Sequence, residues 1–325
     1  MTEFLKVRPG SKSILVNNDN QPEQIHVFDR DSIDAVNAAL AARRPLLIRG
    51  EPGTGKSQLA RAAAKRLKRA YVPFVVDART ESRELLWDFD AVARLAEAQL
   101  AGVHGKDYAD KLPNPLDLVN FIRPGPLWWA FDWEGAAQQA QRSKTPLLSQ
   151  PDGGDPKNGV VVLIDEIDKA ESDVPNGLLG ALGSAEFTPQ GFSKAVTITG
   201  APPLVIITSN EERALPDAFV RRCLVLCIEL PNTTAELAKY LEQRGKAHFP
   251  KADKTVLKEA ARQVAADRKV AIAENLRPFP GQAEYLDLVR TVLVLYRDSP
   301  DQQKEALQRI GNFSLRKHQG TGPCD

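Results

Sequence analysis

The sequence predicts an α/β domain with a mostly parallel, five-stranded sheet, followed by a small all-helical domain. Three observations carry this reading. Short apolar runs without alternation recur at residues 45–48, 71–76, 160–164, 204–208 and 223–228, the pattern of strands buried on both faces. Stretches with helical spacing separate these runs, and parallel strands need such crossovers. Beyond Pro231 no comparable strand follows, and helical patterns occupy 235–248, 254–273, 283–298 and, more weakly, 300–310.

With 325 residues the chain has room for two domains and a sizeable core. The reading places an N-terminal arm at 1–22, the α/β domain at 23–231 and the helical domain at 232–325. The arm is inferred from the polar run Asn17-Asn18-Asp19-Asn20-Gln21-Pro22. Residues 32–43 place Ile33, Val36 and Leu40 at helical spacing, with Asp31 as the expected N-cap. A long stretch from about 80 to 140, carrying all four tryptophans, separates the second and third strands. It is either an insertion with a function or a covering layer of the core, and tryptophans are more often packed than presented. Within it a helix is expected at 88–100, and Arg123-Pro124-Gly125-Pro126 forms a turn into another helix.

Composition narrows the function classes. Lys+Arg is 43 and Asp+Glu is 42, a formal charge of +1, without the basic excess that gripping nucleic-acid phosphates demands. No apolar run approaches the roughly 20 residues of a membrane helix, and the first residues lack a secretory pattern. Cys223, Cys227 and Cys324 form an odd, sparse set unlike a disulfide framework. The first two lie in an apolar run without a nearby histidine, which fits a half-buried strand rather than a metal site. A cytoplasmic protein is expected.

The strongest motif is Gly50-Glu51-Pro52-Gly53-Thr54-Gly55-Lys56-Ser57, which fits G-x-x-x-x-G-K-[ST]. It follows the strand at 45–48 and opens a helix in which Leu59, Ala62, Ala63 and Leu67 share a face. Glycines let successive backbone N–H groups turn towards phosphates, and the helix N-terminus adds its positive end. Lys56 supplies a point charge for the β- and γ-phosphates, and Ser57 offers a hydroxyl to Mg²⁺. These eight residues, with Gln58 behind them, are the expected nucleotide contacts.

The second motif is the strand at 160–164 ending in Asp165-Glu166. Open parallel sheets bind ligands at the carboxyl ends of their strands. Asp165 is expected to hold Mg²⁺ through water, and Glu166 to orient and polarise an attacking water. A nucleotide switch would not need Glu166, so this pair points to hydrolysis. The strand at 204–208 leads to Asn210, which can hydrogen-bond to that water or to the γ-phosphate. Arg221 and Arg222 precede the last strand and can reach a neighbouring subunit, although two surface arginines alone would mean little.

In this order and spacing the elements resemble the AAA+ ATPases over about residues 25–310, and finer features resemble the MoxR branch. Phe121-Ile122-Arg123-Pro124-Gly125-Pro126-Leu127 is similar to its R-P-G-P-L segment. Residues 186–200 resemble the hairpin before its sensor-1 strand, and Ala214-Leu215-Pro216-Asp217-Ala218 its L-P-[DE]-A run. The resemblance implies a P-loop core with a helical lid, and ATP with Mg²⁺. It makes Arg222 the arginine finger, with Arg221 as a second contact. It also implies a homo-oligomeric ring, most often hexameric, that remodels a protein client in the manner of a chaperone, commonly with a von Willebrand factor A domain partner. The pore or partner surface is expected at 80–140 and 186–200. One departure stands out, because no arginine occupies the sensor-2 place in Phe279-Pro280-Gly281-Gln282-Ala283-Glu284. Arg277 is the nearby substitute. Two alternatives remain, a nucleic-acid motor or loader and a nucleotide-dependent binding module with little turnover.

Overall fold

The structure, a computed structural model, describes residues 4–16, 24–104, 115–297 and 299–315. The run Asn17 to Pro22, part of the long stretch between strands two and three, and Cys324 with its neighbours lie outside them.

The chain opens with an antiparallel hairpin of β1 (Lys12–Leu15) and β2 (Gln24–Val27). This corrects the expected arm, since Leu15 is fully buried and Leu5 is 3% exposed. Such short strands leave too little periodicity to detect. Their place is set by distant partners. Helix α1 (Arg30–Ala42) follows, then β3 (Leu46–Gly50), α2 (Lys56–Leu67) and β4 (Arg69–Val75). On α2, Arg66, Lys65 and Arg61 donate to the carbonyls of Lys12, Ile14 and Val16, satisfying the outer edge of β1. The N-cap of α1 is Asp29 rather than Asp31, its carboxylate accepting from Ser32 N at 2.8 Å; Asp31 falls in the first turn.

The long stretch forms a small unit against the sheet. Strand β5 (Trp87–Phe89) and, beyond helix α3 (Ala91–His104), strand β6 (Ile122–Pro124) pair antiparallel. The helix expected at 88–100 thus starts three residues later, because 87–89 is claimed by that pairing. Helices α4 (Pro126–Phe131) and α5 (Trp133–Arg142) follow. Trp128 and Trp129 are buried, and Trp87 and Trp133 pack against the same core.

The remaining core comprises β7 (Asp155–Asp165), α6 (Asp173–Ser184), the hairpin β8 (Glu186–Phe187) with β9 (Val196–Thr197), β10 (Leu204–Ser209), α7 (Asp217–Arg222) and β11 (Leu224–Ile228). Phe187 and Phe192 meet Trp128 edge to face, at 6.0 and 5.3 Å, which joins the hairpin to α4. Five parallel strands run in the order β11-β3-β10-β7-β4. Alternate residues feed two cores, Leu46 and Ile48 on one face and Leu47 on the other, which is why the strand runs are apolar without alternation. Cys223 is buried one residue before β11, where burial raises its thiol pKa to about 11, and Cys227 on β11 is exposed.

Four helices complete the fold: α8 (Thr234–His248), α9 (Lys254–Ala273), α10 (Gln282–Leu295) and α11 (Pro300–Ser314). They enclose a separate core around Leu241, Val256, Tyr285, Leu288 and Val292. The chain is therefore a P-loop α/β core followed by a helical region. Among the described residues no helix is long and apolar enough to cross a membrane.

Helix α8 rests on the N-terminal hairpin. Arg244 donates to Val27 O at 2.8 Å, and Lys12 donates to Ala247 O at 3.2 Å. Burial there, with the Arg244 charge, lowers the pKa of both His26 and His248 from 6.5 to about 4; Asp29 opposes this at His26, and Arg290 and Lys12 add to it at His248. Between pH 6.5 and 4 the unfolded chain therefore binds protons that the native chain refuses. Stability from this source is present above pH 6.5, falls as pH drops to 4, and changes no further below it. Thermal melts of wild type and His26→Leu should diverge over that window, with the variant less pH-sensitive; equal slopes would exclude His26 as the source.

Candidate functional site

Three adjacent strands, β3, β10 and β7, bring their carboxyl ends to one edge of the sheet. The loop after β3 begins at Gly50, where an added Cβ would lie 2.4 Å from Ile228 O of β11. At Gly53, which has φ +77°, a Cβ would lie 2.7 Å from the Ala283 Cβ of α10. Both positions exclude a side chain, the second because the helical region packs directly on the loop.

Lys56 is 6% exposed and its Nζ donates to Gly50 O, Glu51 O and Asn210 Oδ1 at 2.7, 2.9 and 2.7 Å. Burial lowers its pKa, against the opposing pull of Asp165, Asp168, Glu166 and Glu211. Thr54, also buried, closes the loop by donating to Glu51 O at 2.9 Å. Ser57 Oγ donates to Asp165 Oδ1 at 2.8 Å. A serine hydroxyl beside a single carboxylate at a helix start fits Mg²⁺, which takes few protein ligands and completes its shell with water and phosphate oxygens. Among the described residues there is no cluster of three or more His, Cys, Asp or Glu for a metal.

Glu166 adopts φ 60°, ψ 44°, a left-handed conformation costing roughly 1–2 kcal/mol for a residue with a Cβ. Its Oε2 accepts from Lys169 Nζ at 2.6 Å and its Oε1 from Asn210 Nδ2 at 3.4 Å. The bond to Glu166 raises the Lys169 pKa.

Two anchors hold these groups and were not found from the sequence. Thr208, buried inside β10, donates to Asp165 Oδ1 at 2.5 Å and accepts from Glu166 N at 2.9 Å. Asp168, 2% exposed, accepts from the backbone N–H groups of Asn210 and Glu212 at 3.3 and 2.9 Å. A threonine in an apolar strand and a third acid after Asp165-Glu166 carry no distinguishing signal by themselves.

A cleft of about 480 Å³ opens over this edge. From the core it is lined by Pro52, Gly53, Gly55, Lys56, Ser57, Gln58, Asp165, Glu166 and Asn210, and Gln24 of β2 joins them. From α10 come Gln282, Ala283, Leu286, Asp287 and Arg290. The structure thus brings together the motif residues, with Gly50, Glu51 and Thr54 behind them. Arg221 and Arg222 do not line the cleft; they are exposed at the end of α7. Their carbonyls, and that of Cys223, accept from the Arg44 guanidinium. Arg277 does not line it either, and stacks over Phe279 at 5.3 Å.

A strand, a glycine loop closed by a buried lysine, and two acids at the end of β7, with β10 between the two strands, form the phosphate-binding edge of a P-loop fold. A comparison with protein families matches residues 45–223, more than half of the chain, to the AAA domain of the dynein-related subfamily. The chain belongs to that family. A search of curated proteins finds no match. The matched AAA segment runs from β3 to the residue before β11, and so includes every motif residue named above except those of the helical region. Outside the AAA match lie the N-terminal hairpin and α1, β11, and α8 to α11; of these, the hairpin and the helical region close the cleft with Gln24 and the α10 side chains.

Proposed function

We propose that this chain is an ATP-hydrolysing AAA+ motor of the MoxR-like branch, working as a homo-oligomeric ring that remodels or activates a protein client. The observation that carries the hydrolytic reading is the meeting of Lys56, the Ser57–Asp165 pair, Glu166 and Asn210 on one sheet edge. In this reading the loop at 50–57 and Gln58 hold the phosphates. Ser57 and Asp165 hold Mg²⁺, which supplies neutralisation of charge on the phosphate oxygens. Glu166 orients the attacking water and takes its proton, and Asn210 fixes either that water or the phosphate. The branch assignment is supported by Arg123-Pro124-Gly125-Pro126-Leu127 at the entry to α4 and by the hairpin β8–β9.

The ring is supported by the exposure of Arg221 and Arg222 away from their own cleft. A guanidinium supplied from a neighbour contributes about 10³ to 10⁵ in rate where it completes a phosphoryl-transfer site. Arg222→Ala is expected to lose turnover, and wild-type subunits should partly restore it in mixed rings. Failure of that rescue would place Arg222 within its own subunit's chemistry. Turnover measured against protein concentration, with and without co-purifying proteins such as a von Willebrand factor A domain partner, tests assembly and stimulation together. Turnover per chain that is independent of concentration at all dilutions would refute the shared site.

A further inference from the structure

The helical region contacts the phosphate-binding loop through an arginine that the motifs did not mark. Arg268 of α9 is 8% exposed, and its Nη2 donates to Glu51 Oε1 at 2.7 Å. Its Nη1 donates to Pro280 O at 3.1 Å, and its guanidinium lies 5.7 Å from the centre of the Phe279 ring. One side chain therefore ties the loop to the segment that leads into α10. The same segment places Ala283 against Gly53 and Gln282 in the cleft.

Glu51 is an anion within a loop whose task is to accept an anion. Its backbone carbonyl accepts from Lys56 and Thr54, so the residue is fixed within the loop and its carboxylate adds negative charge there. Arg268 is the buried partner, while the Glu51 side chain is 44% exposed; a carboxylate left unpaired beside a polyphosphate repels it.

We propose that Arg268 is a positioning residue that makes the loop acceptable to a nucleoside polyphosphate, by neutralising Glu51 from the helical region. Docking of that region and nucleotide affinity are then linked, each favouring the other. The role is distinct from an arginine that touches the γ-phosphate. It would couple the helical region to nucleotide although residues 279–284 contain no arginine and Arg277 does not line the cleft. The inference rests on the reading that ATP binds at the loop.

The test measures ATP and ADP affinity and melting temperature for the full-length chain. Arg268→Met is expected to weaken ATP binding about tenfold, a typical coupling between linked sites, with a smaller loss for ADP, which carries less charge. Glu51→Gln alone supplies the reference affinity against which the double variant is read. Combined with Arg268→Met, it should restore most of what was lost, because the unpaired carboxylate is gone. If the double variant binds as weakly as Arg268→Met, the carboxylate is not the cause and the proposal is wrong. It is equally wrong if Arg268→Met lowers the melting temperature but leaves affinity unchanged, the signature of a merely structural bridge. Should Arg268→Met fail to fold, Arg268→Gln with Glu51→Gln replaces it: affinity equal to that of Glu51→Gln alone supports the proposal and a further tenfold loss overturns it. A wild-type chain that binds neither nucleotide would refute the ATP reading itself, a separate result.

Discussion

Lys56→Ala is expected to abolish measurable ATP binding. The ammonium is almost fully buried and is surrounded by Gly50 O, Glu51 O and Asn210 Oδ1. Burial lowers its pKa, while four nearby carboxylates favour the charged form. In the proposed complex it exchanges these neutral acceptors for phosphate oxygens. A hydrogen bond to a charged group contributes about 1.5–3 kcal/mol, so losing two weakens binding roughly 10²- to 10⁴-fold. Calorimetric titration with ATP checks this, alongside a thermal melt, because alanine also strips a donor from three acceptors. Affinity close to wild type in a folded variant would show that the phosphates lie elsewhere.

Glu166→Gln is expected to keep ATP binding and lose turnover by about 10²- to 10⁴-fold, the usual contribution of a positioned general base. The substitution preserves shape and an oxygen for Asn210 Nδ2, but removes the ion pair with Lys169. A glutamine cannot take a proton from water. Single-turnover measurement with pre-bound ATP separates the chemical step from binding and release. Unchanged turnover would move water activation to another group, and weakened binding with normal turnover would make Glu166 a binding residue.

The legible parts of this fold were those whose physics is local. The runs of the three inner strands, β3, β10 and β7, are apolar because both faces of the sheet are covered there, whereas the edge strands β4 and β11 expose Val75 and Val225; each run is short enough to read within a window. The loop at 50–57 could be read because a tight phosphate cradle restricts residue type at several adjacent positions. The N-terminal hairpin could not. Its outer edge is satisfied by Arg61, Lys65 and Arg66, some 45 to 54 positions along the chain, so nothing within residues 4–16 announces it. Asp29 and Asp31 are both suitable cap types for α1, two residues apart, and the extended backbone at Asp29 makes it the cap.

The candidate site divides the same way. Composition and spacing along the chain determined which groups are available: a lysine after a glycine loop, two acids after an apolar strand, an asparagine after another, and arginines before the last. Only the tertiary structure decided that β10 inserts between β3 and β7, which puts Asn210 against both Lys56 and Glu166. It alone decided that Thr208 and Asp168 support these groups, and that Arg268 reaches the loop across 217 positions. Motif residues are constrained by their own neighbours in sequence. Supporting residues need only a suitable charge or hydroxyl at the right point in space, and many positions along the chain could supply one.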